Sequence, residues 1–381
     1  MWGAEPTINS RYFKQLVGQL FEALPNFKKV MFSTNSFLGW DRVKDFVFGV
    51  EETIKDLNKK DFLLEIQFSL DGPEWINENS RLKNCTQHTI DTIYSLCENT
   101  PRDLHYNLYL TTKPTIDTFY MKKMAEDVSL IQGYFDFFHE LQNRATELAK
   151  DNKHIKLDLL GSPTVVDPGF HTVEDGKAFA AWVKALRVNK FENEILFNQP
   201  FKFIKYSQFR DENYNYINHP MLLTCGAGKG SLAVNHEGKV FNCHRFFRNS
   251  YLSDTSDSVI RAYTTLDVDS FQDDYRRFKY ISRLPHDYID SYRYYMDVLA
   301  IPMAKCHQID FKYFDNAQAR TWLFAFISGV FCHLGQAEET KETFFYTPSY
   351  LRFFGNGAVE ELLKYGYEKG ILKMKIKEGE V

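Results

Sequence analysis

The sequence predicts an α/β protein: a parallel (β/α) barrel over residues 1–190, followed by an α+β domain over residues 191–381. Three observations predict it. Apolar runs of strand length alternate with amphipathic runs of helix length through the first 190 residues, the pattern of a parallel sheet with helical crossovers. Polar and turn-forming residues recur just after the apolar runs, where barrel proteins gather their functional groups. Beyond residue 190 the alternation fades, and Phe, Tyr and Asn become frequent with less regular spacing.

Each element has its own signal. Phe13, Leu16, Val17, Leu20, Phe21 and Leu24 share one helical face, and Pro25 ends the pattern. A strand is expected at Val30–Ser33, a helix over Val43–Leu57 and a strand over Phe62–Leu70. A helix at Ile90–Leu96 and a strand at Leu104–Leu110 follow. Helices are expected at Ile116–Met124 and Phe135–Leu148, a strand at Ile155–Leu160 and a helix at Glu174–Leu186. Residues 200–250 read as hairpin material, and 270–298, Ala317–Phe331 and Val359–Tyr367 as helices.

Composition narrows the class. The chain carries 46 basic and 50 acidic residues, so its charge does not point to nucleic acid. It has neither a basic-then-apolar leader nor a run of 18 apolar residues; no membrane span and a cytoplasmic location are expected. Six widely spaced cysteines argue against a disulfide framework.

Cys225 and Cys243 are spaced C-x12-G-x4-C within TCGAGKGSLAVNHEGKVFNCHRF. Leu232 and Val234 alternate, His236-Glu237-Gly238 turns the chain, and Val240 and Phe241 resume. The pattern is that of a two-stranded hairpin carrying both cysteines to one end. Two thiolates so placed suit iron or zinc, and two buried unpaired cysteines are the alternative. Gly226–Ser231 fits neither phosphate-loop pattern.

Upstream lie Gly3-Ala4-Glu5-Pro6, then Ser33-Thr34-Asn35 closing one apolar run. Phe68-Ser69-Leu70-Asp71-Gly72-Pro73 closes another, and Arg81 follows. In this order, with the cysteine hairpin downstream, they resemble the radical SAM enzymes that carry a SPASM domain, a group including sulfatase-maturating and peptide-modifying enzymes. The resemblance covers residues 3–243. It implies that S-adenosylmethionine is held by Gly3, Glu5, Asn35, Ser69, Asp71 and Arg81. Glu5 would accept from the methionyl ammonium, Ser69 would contact the ribose and Arg81 would pair with the methionyl carboxylate. Ala4 replaces the second glycine of the family turn, adding a methyl where the backbone approaches the ligand.

The resemblance also implies metal ligation by Cys225, Cys243, Cys306 and Cys332. Four thiolates suffice for one auxiliary 4Fe-4S cluster or one tetrahedral zinc, where the family carries two auxiliary clusters. His244 follows Cys243 where sulfatase-maturating members place an Asp, and an imidazole there could act as a base. His307, beside Cys306, is a second such residue.

The family's C-x3-C-x2-C loop, which holds the catalytic cluster, does not occur in the sequence. The expectation is therefore an incomplete barrel in a split or truncated enzyme, with the loop supplied by a separate polypeptide or an upstream segment. By resemblance the complete enzyme would modify a peptide or protein through a 5′-deoxyadenosyl radical. The competing expectation is a degenerate, non-catalytic member acting as a binding or regulatory protein.

Overall fold

A computed structural model describes residues 5–24, 26–37, 39–57, 62–160, 164–165, 173–191, 233–234, 239–241, 266–267 and 361. The chain divides into two compact units, Met1–Thr164 and Val165–Val381.

The first unit opens with a short 3-10 turn at Pro6–Asn9 that leads into α1 (Ser10–Ala23). Asn9 caps α1, its Oδ1 accepting from Tyr12 N at 3.1 Å, which satisfies one of the orphan amides of the first turn. β1 (Lys29–Thr34), α2 (Gly39–Leu57), β2 (Leu63–Phe68), α3 (Glu74–Ser80) and α4 (Cys85–Asn99) follow. Then come β3 (Asn107–Thr112), β4 (Thr115–Ile116), α5 (Thr118–Glu126), α6 (Val128–Ala149), β5 (Ile155–Asp158) and β6 (Thr164–Val165). The main sheet has the order β1-β2-β3-β5 and is parallel throughout.

The alternation of side chains along these strands gives the sheet two unlike faces. Phe32, Leu64, Ile66, Phe68, Leu108 and Leu110 are completely buried under the helices. Phe13 of α1 packs on Phe32 and on Phe46 of α2, with ring centroids 5.7 and 4.5 Å apart. Burying each such side chain stabilises the unit by about 2 kcal/mol before entropy is counted. The opposite face is polar. Lys29 pairs there with Glu65, Ser33 Oγ donates to Gln67 Oε1 at 3.0 Å, and Tyr109 OH donates to Asp158 Oδ2 at 3.2 Å.

The elements expected over residues 1–190 are present with shifted ends, and two differences have physical causes. Helix α3 was not expected, because Asp71-Gly72-Pro73 reads as a turn and seven residues are too few to show a helical period; it buries only Ile76 and Asn77. β3 begins at Asn107 instead of Leu104. Leu104 and Tyr106 are core residues that precede the strand, so their apolar character reported burial and not pairing.

In the second unit, α7 (Val173–Val188) buries Phe179, Trp182, Val183 and Leu186. Arg187 at its end pairs with Glu361, Nη2 to Oε2 at 2.8 Å. β7 (Ala233–Val234) and β8 (Lys239–Phe241) pair antiparallel, with Val234 opposite Val240 and Ala233 opposite Phe241. The antiparallel pairing is the one expected of the hairpin, whose turn at His236-Glu237-Gly238 lies outside the described residues. β9 (Leu266–Asp267) adds a third strand beside β8. Among the described residues no helix is long and apolar enough to cross a membrane. Gly3, Cys225, Cys243, His244, Cys306, His307 and Cys332 lie outside the described residues, as do the helices expected at 270–298 and Ala317–Phe331. Of Val359–Tyr367, only Glu361 is described, in helical conformation.

Candidate functional site

Parallel strands bring their C-terminal ends to one rim, and the motif residues of the first unit follow those ends directly. Asn35 comes after β1, Ser69 and Asp71 come after β2, and Thr115 comes just after β3. Ser69 N donates to Thr34 O at 2.8 Å, which carries the strand pairing into the rim.

Glu5 is fastened to this rim by its carboxylate. Oε1 accepts from Thr7 N at 3.1 Å, Thr7 Oγ1 at 2.6 Å and Thr34 Oγ1 at 2.8 Å. Oε2 accepts from Asn35 N at 2.9 Å. Such charge-assisted bonds are short and strong. Oε1 is saturated, whereas Oε2 keeps acceptor capacity for one more donor. Thr34 Oγ1 also accepts from Ser36 N at 2.9 Å, so a single hydroxyl ties Glu5 to the loop after β1. Ser36 sits at φ 54° and is fully buried, and its Oγ has no partner among the described residues.

Both oxygens of Asp71 are saturated, by a different set of groups. Its backbone N donates to Asn77 Oδ1 at 2.9 Å. Oδ1 accepts from Arg81 Nη2 at 2.8 Å and Thr115 N at 2.9 Å; Oδ2 accepts from Arg81 Nε at 2.7 Å and Ser80 Oγ at 3.0 Å. One carboxylate thus joins the β2 loop, α3 and β4. Arg81 Nη1 has no partner among the described residues. Gly72 follows at φ +154°, and a Cβ there would meet Tyr134 Cε2 at 2.9 Å, so only glycine fits. The Tyr134 hydroxyl is buried without a partner among the described residues, and burial, with the Asp71 charge nearby, raises its pKa well above the usual phenol value.

The sequence-expected residues therefore fall into two fastenings, Glu5 with Asn35 and Asp71 with Arg81, on a rim that also carries Ser69. No described residue bonds Ser69 Oγ. Thr7, Thr34, Ser80 and Thr115 complete the two fastenings; the sequence marks Thr34, within the Ser33-Thr34-Asn35 motif, and not the other three. Only Thr34 had a visible signal, its place at the end of an apolar run. Cys85 and Cys97, the two cysteines of this unit, are core thiols. Cys85 Sγ accepts from Asn77 Nδ2 at 3.1 Å, and burial pushes the Cys97 thiol up to about 12. Among the described residues no group of three or more His, Cys, Asp or Glu could hold a metal ion.

Comparison with protein-family models, with curated proteins and with solved structures gave no match. Fold and rim together define an α/β protein whose parallel strands end on a polar rim. That rim presents one carboxylate with acceptor capacity to spare and one guanidinium clamped by a buried carboxylate.

Proposed function

We propose that the first unit is the S-adenosylmethionine-binding part of an incomplete radical SAM-type (β/α) barrel, followed by a SPASM-like auxiliary metal domain, and that the whole modifies a peptide or protein. The observation that carries this reading is Glu5 Oε2: a carboxylate oxygen held at the end of β1 by Asn35 N, with acceptor capacity remaining for an ammonium donor. The ordered motifs of the sequence and the parallel sheet support it.

In this reading the described residues would hold the group at three points. Glu5 Oε2 would accept from the methionyl ammonium, and the Ser69 hydroxyl would meet the ribose. Arg81 has Nε and Nη2 committed to Asp71, so it would pair with the methionyl carboxylate mainly through Nη1. In this reading Asp71 orients Arg81 and does not touch the ligand. S-adenosylmethionine with a reduced 4Fe-4S cluster would supply hydrogen-atom abstraction. Gly3, His244 and the ligand set Cys225, Cys243, Cys306 and Cys332 enter on the sequence resemblance, with zinc as the other metal that four thiolates suit. A catalytic cluster would take its thiolates from a further segment or polypeptide, since the sequence holds no C-x3-C-x2-C.

A second reading, a non-catalytic binding or regulatory protein, is favoured by the way Asp71 occupies Arg81 and by the core burial of Cys85 and Cys97. Anaerobic reconstitution with iron and sulfide separates the two. The chain alone should release no 5′-deoxyadenosine from S-adenosylmethionine, and a polypeptide carrying C-x3-C-x2-C, encoded beside it, should restore release. A chain that binds S-adenosylmethionine yet stays silent with that polypeptide supports the non-catalytic reading.

A further inference from the structure

The donors that fasten the Glu5 carboxylate do not all belong to the same body. Thr7 N and Thr7 Oγ1 reach Oε1 from two residues along the chain, so they travel with Glu5 when its segment moves. The sheet side supplies the other two, Thr34 Oγ1 on Oε1 at 2.8 Å and Asn35 N on Oε2 at 2.9 Å. These come from adjacent residues, the last of β1 and the first after it.

Thr34 governs both of the sheet-side bonds. Its hydroxyl has one proton, which goes to Glu5 Oε1, and a lone pair of the same oxygen accepts from Ser36 N at 2.9 Å. That second bond closes a turn around Asn35 and aims the Asn35 N–H at Oε2. It also holds Ser36 at φ 54°, a left-handed conformation that a serine adopts only at a cost. Thr89 Oγ1 of α4 donates to Asn35 O at 3.2 Å and keeps the loop against the body of the unit, but it makes no bond to Glu5. Thr34 is 1 % exposed, so its hydroxyl reaches no ligand and acts through Glu5. Along the same side of β1, Val30 and Phe32 are apolar and buried. A hydroxyl at that level is costly unless bonded, and both of its bonds run to the rim.

We infer that Thr34 is the positioning residue of this rim: by holding Oε1 directly, and Asn35 N through Ser36 N, it determines that Oε2 is the Glu5 oxygen presented to a cationic ligand. The inference rests on the proposed function for the identity of that ligand, the methionyl ammonium. The terminal torsion of a glutamate is broad and nearly two-fold. Without the Thr34 hydroxyl the carboxylate turns together with Thr7 and presents either oxygen, and an ammonium loses its fixed acceptor.

The test uses the full chain and three variants. Thr34→Val and Thr34→Ala lack the hydroxyl, one isosteric and one smaller, and Thr34→Ser restores it. One readout is calorimetric binding of S-adenosylmethionine beside 5′-methylthioadenosine, which lacks the amino and carboxylate groups. The other is hydrogen exchange of the Asn35 backbone amide, with the Ile66 amide of β2 as the reference for general loosening. The unaltered chain and Thr34→Ser should prefer S-adenosylmethionine by about tenfold or more and protect the Asn35 amide. In Thr34→Val and Thr34→Ala the preference should fall to about twofold or less, with 5′-methylthioadenosine binding within about twofold of the unaltered chain. Their Asn35 amide should exchange about tenfold faster or more while Ile66 keeps its rate. Either hydroxyl-free variant keeping the preference or the slow Asn35 exchange would overturn the inference, as would Thr34→Ser failing to restore both. An unaltered chain without the preference removes the cofactor reading instead, and the exchange rates then decide on Thr34: faster Asn35 exchange with serine rescue sustains the inference, and an unchanged rate overturns it.

Discussion

The Arg81 guanidinium holds the Asp71 carboxylate at two points, Nε to Oδ2 at 2.7 Å and Nη2 to Oδ1 at 2.8 Å. The carboxylate is almost wholly buried and the guanidinium about a quarter exposed, with side-chain exposures of 4 % and 27 %. Removing the cation would leave a buried charge with only Ser80 Oγ and Thr115 N as donors. Arg81→Ala should therefore destabilise the first unit by about 2–3 kcal/mol, less than a fully buried pair would cost. Arg81→Lys should recover only part of this, because an ammonium cannot make the two parallel bonds. Urea unfolding midpoints of the two variants check the order.

Gly72 and Tyr134 form the second tight contact of this corner. Gly72→Ala would press a Cβ to 2.9 Å from the Tyr134 ring and 3.1 Å from Ile76, at a backbone conformation that L side chains rarely adopt. A loss of about 2 kcal/mol or more is expected in chemical denaturation. Tyr134→Phe removes a buried hydroxyl without a described partner and should be neutral or stabilising by up to about 1 kcal/mol.

Alkaline stability follows from the buried phenols. Burial raises Tyr134 and Tyr106 well above the usual value, with the Asp71 charge adding to the first and the Glu51 charge to the second. Above pH 10 the unfolded chain loses phenolic protons that the folded chain keeps, so unfolding is favoured as pH rises. Stability should be fully present below pH 10 and then fall by about 1.4 kcal/mol per pH unit for each of the two residues. Unfolding midpoints at pH 9, 10 and 11 measure the slope, and Tyr134→Phe should lower it by about 1.4 kcal/mol per pH unit, leaving the share of Tyr106 and of Tyr109, which burial raises to about 12. A slope unaltered by that substitution would speak against the assignment.

The expected metal site is tested by elemental analysis. If the chain binds iron or zinc as proposed, Cys243→Ala should remove it, because the proposal makes Cys225 and Cys243 ligands of one centre. Cys97→Ala should leave the metal content unchanged, since burial pushes that thiol up to about 12 and the thiolate form is what binds metal.

Much of the first unit was legible because period and burial agree. Phe13, Val17 and Phe21 read as one face of a helix, and all three are buried. The polar side of the sheet was less legible. Glu65 and Gln67 stand within LLEIQF, a run whose apolar content dominates any strand reading, and only the register with Tyr109 and Thr111 shows that they share a face. In the rim, Glu5, Asn35 and Asp71 were found as motif residues, but the donors that hold them come from positions two to forty-four residues away. Thr7 and Thr115 carry no local pattern that marks such a role. That Arg81 is spent on Asp71 could not be read from their spacing, because ten residues separate them across a helix whose presence periodicity did not reveal.

Equilibrium binding of S-adenosylmethionine to the full chain, measured calorimetrically beside 5′-methylthioadenosine, tests the central claim most directly. The second compound has the adenosyl part without the amino and carboxylate groups that Glu5 and Arg81 would recognise. Saturable one-to-one binding is expected, with S-adenosylmethionine preferred at least tenfold, a difference of about 1.4 kcal/mol. Glu5→Gln would set an amide N–H against Asn35 N–H and remove the ammonium acceptor, and should erase that preference while leaving 5′-methylthioadenosine binding within about twofold. Absence of binding, or equal affinity for the two compounds in the unaltered chain, would contradict the account.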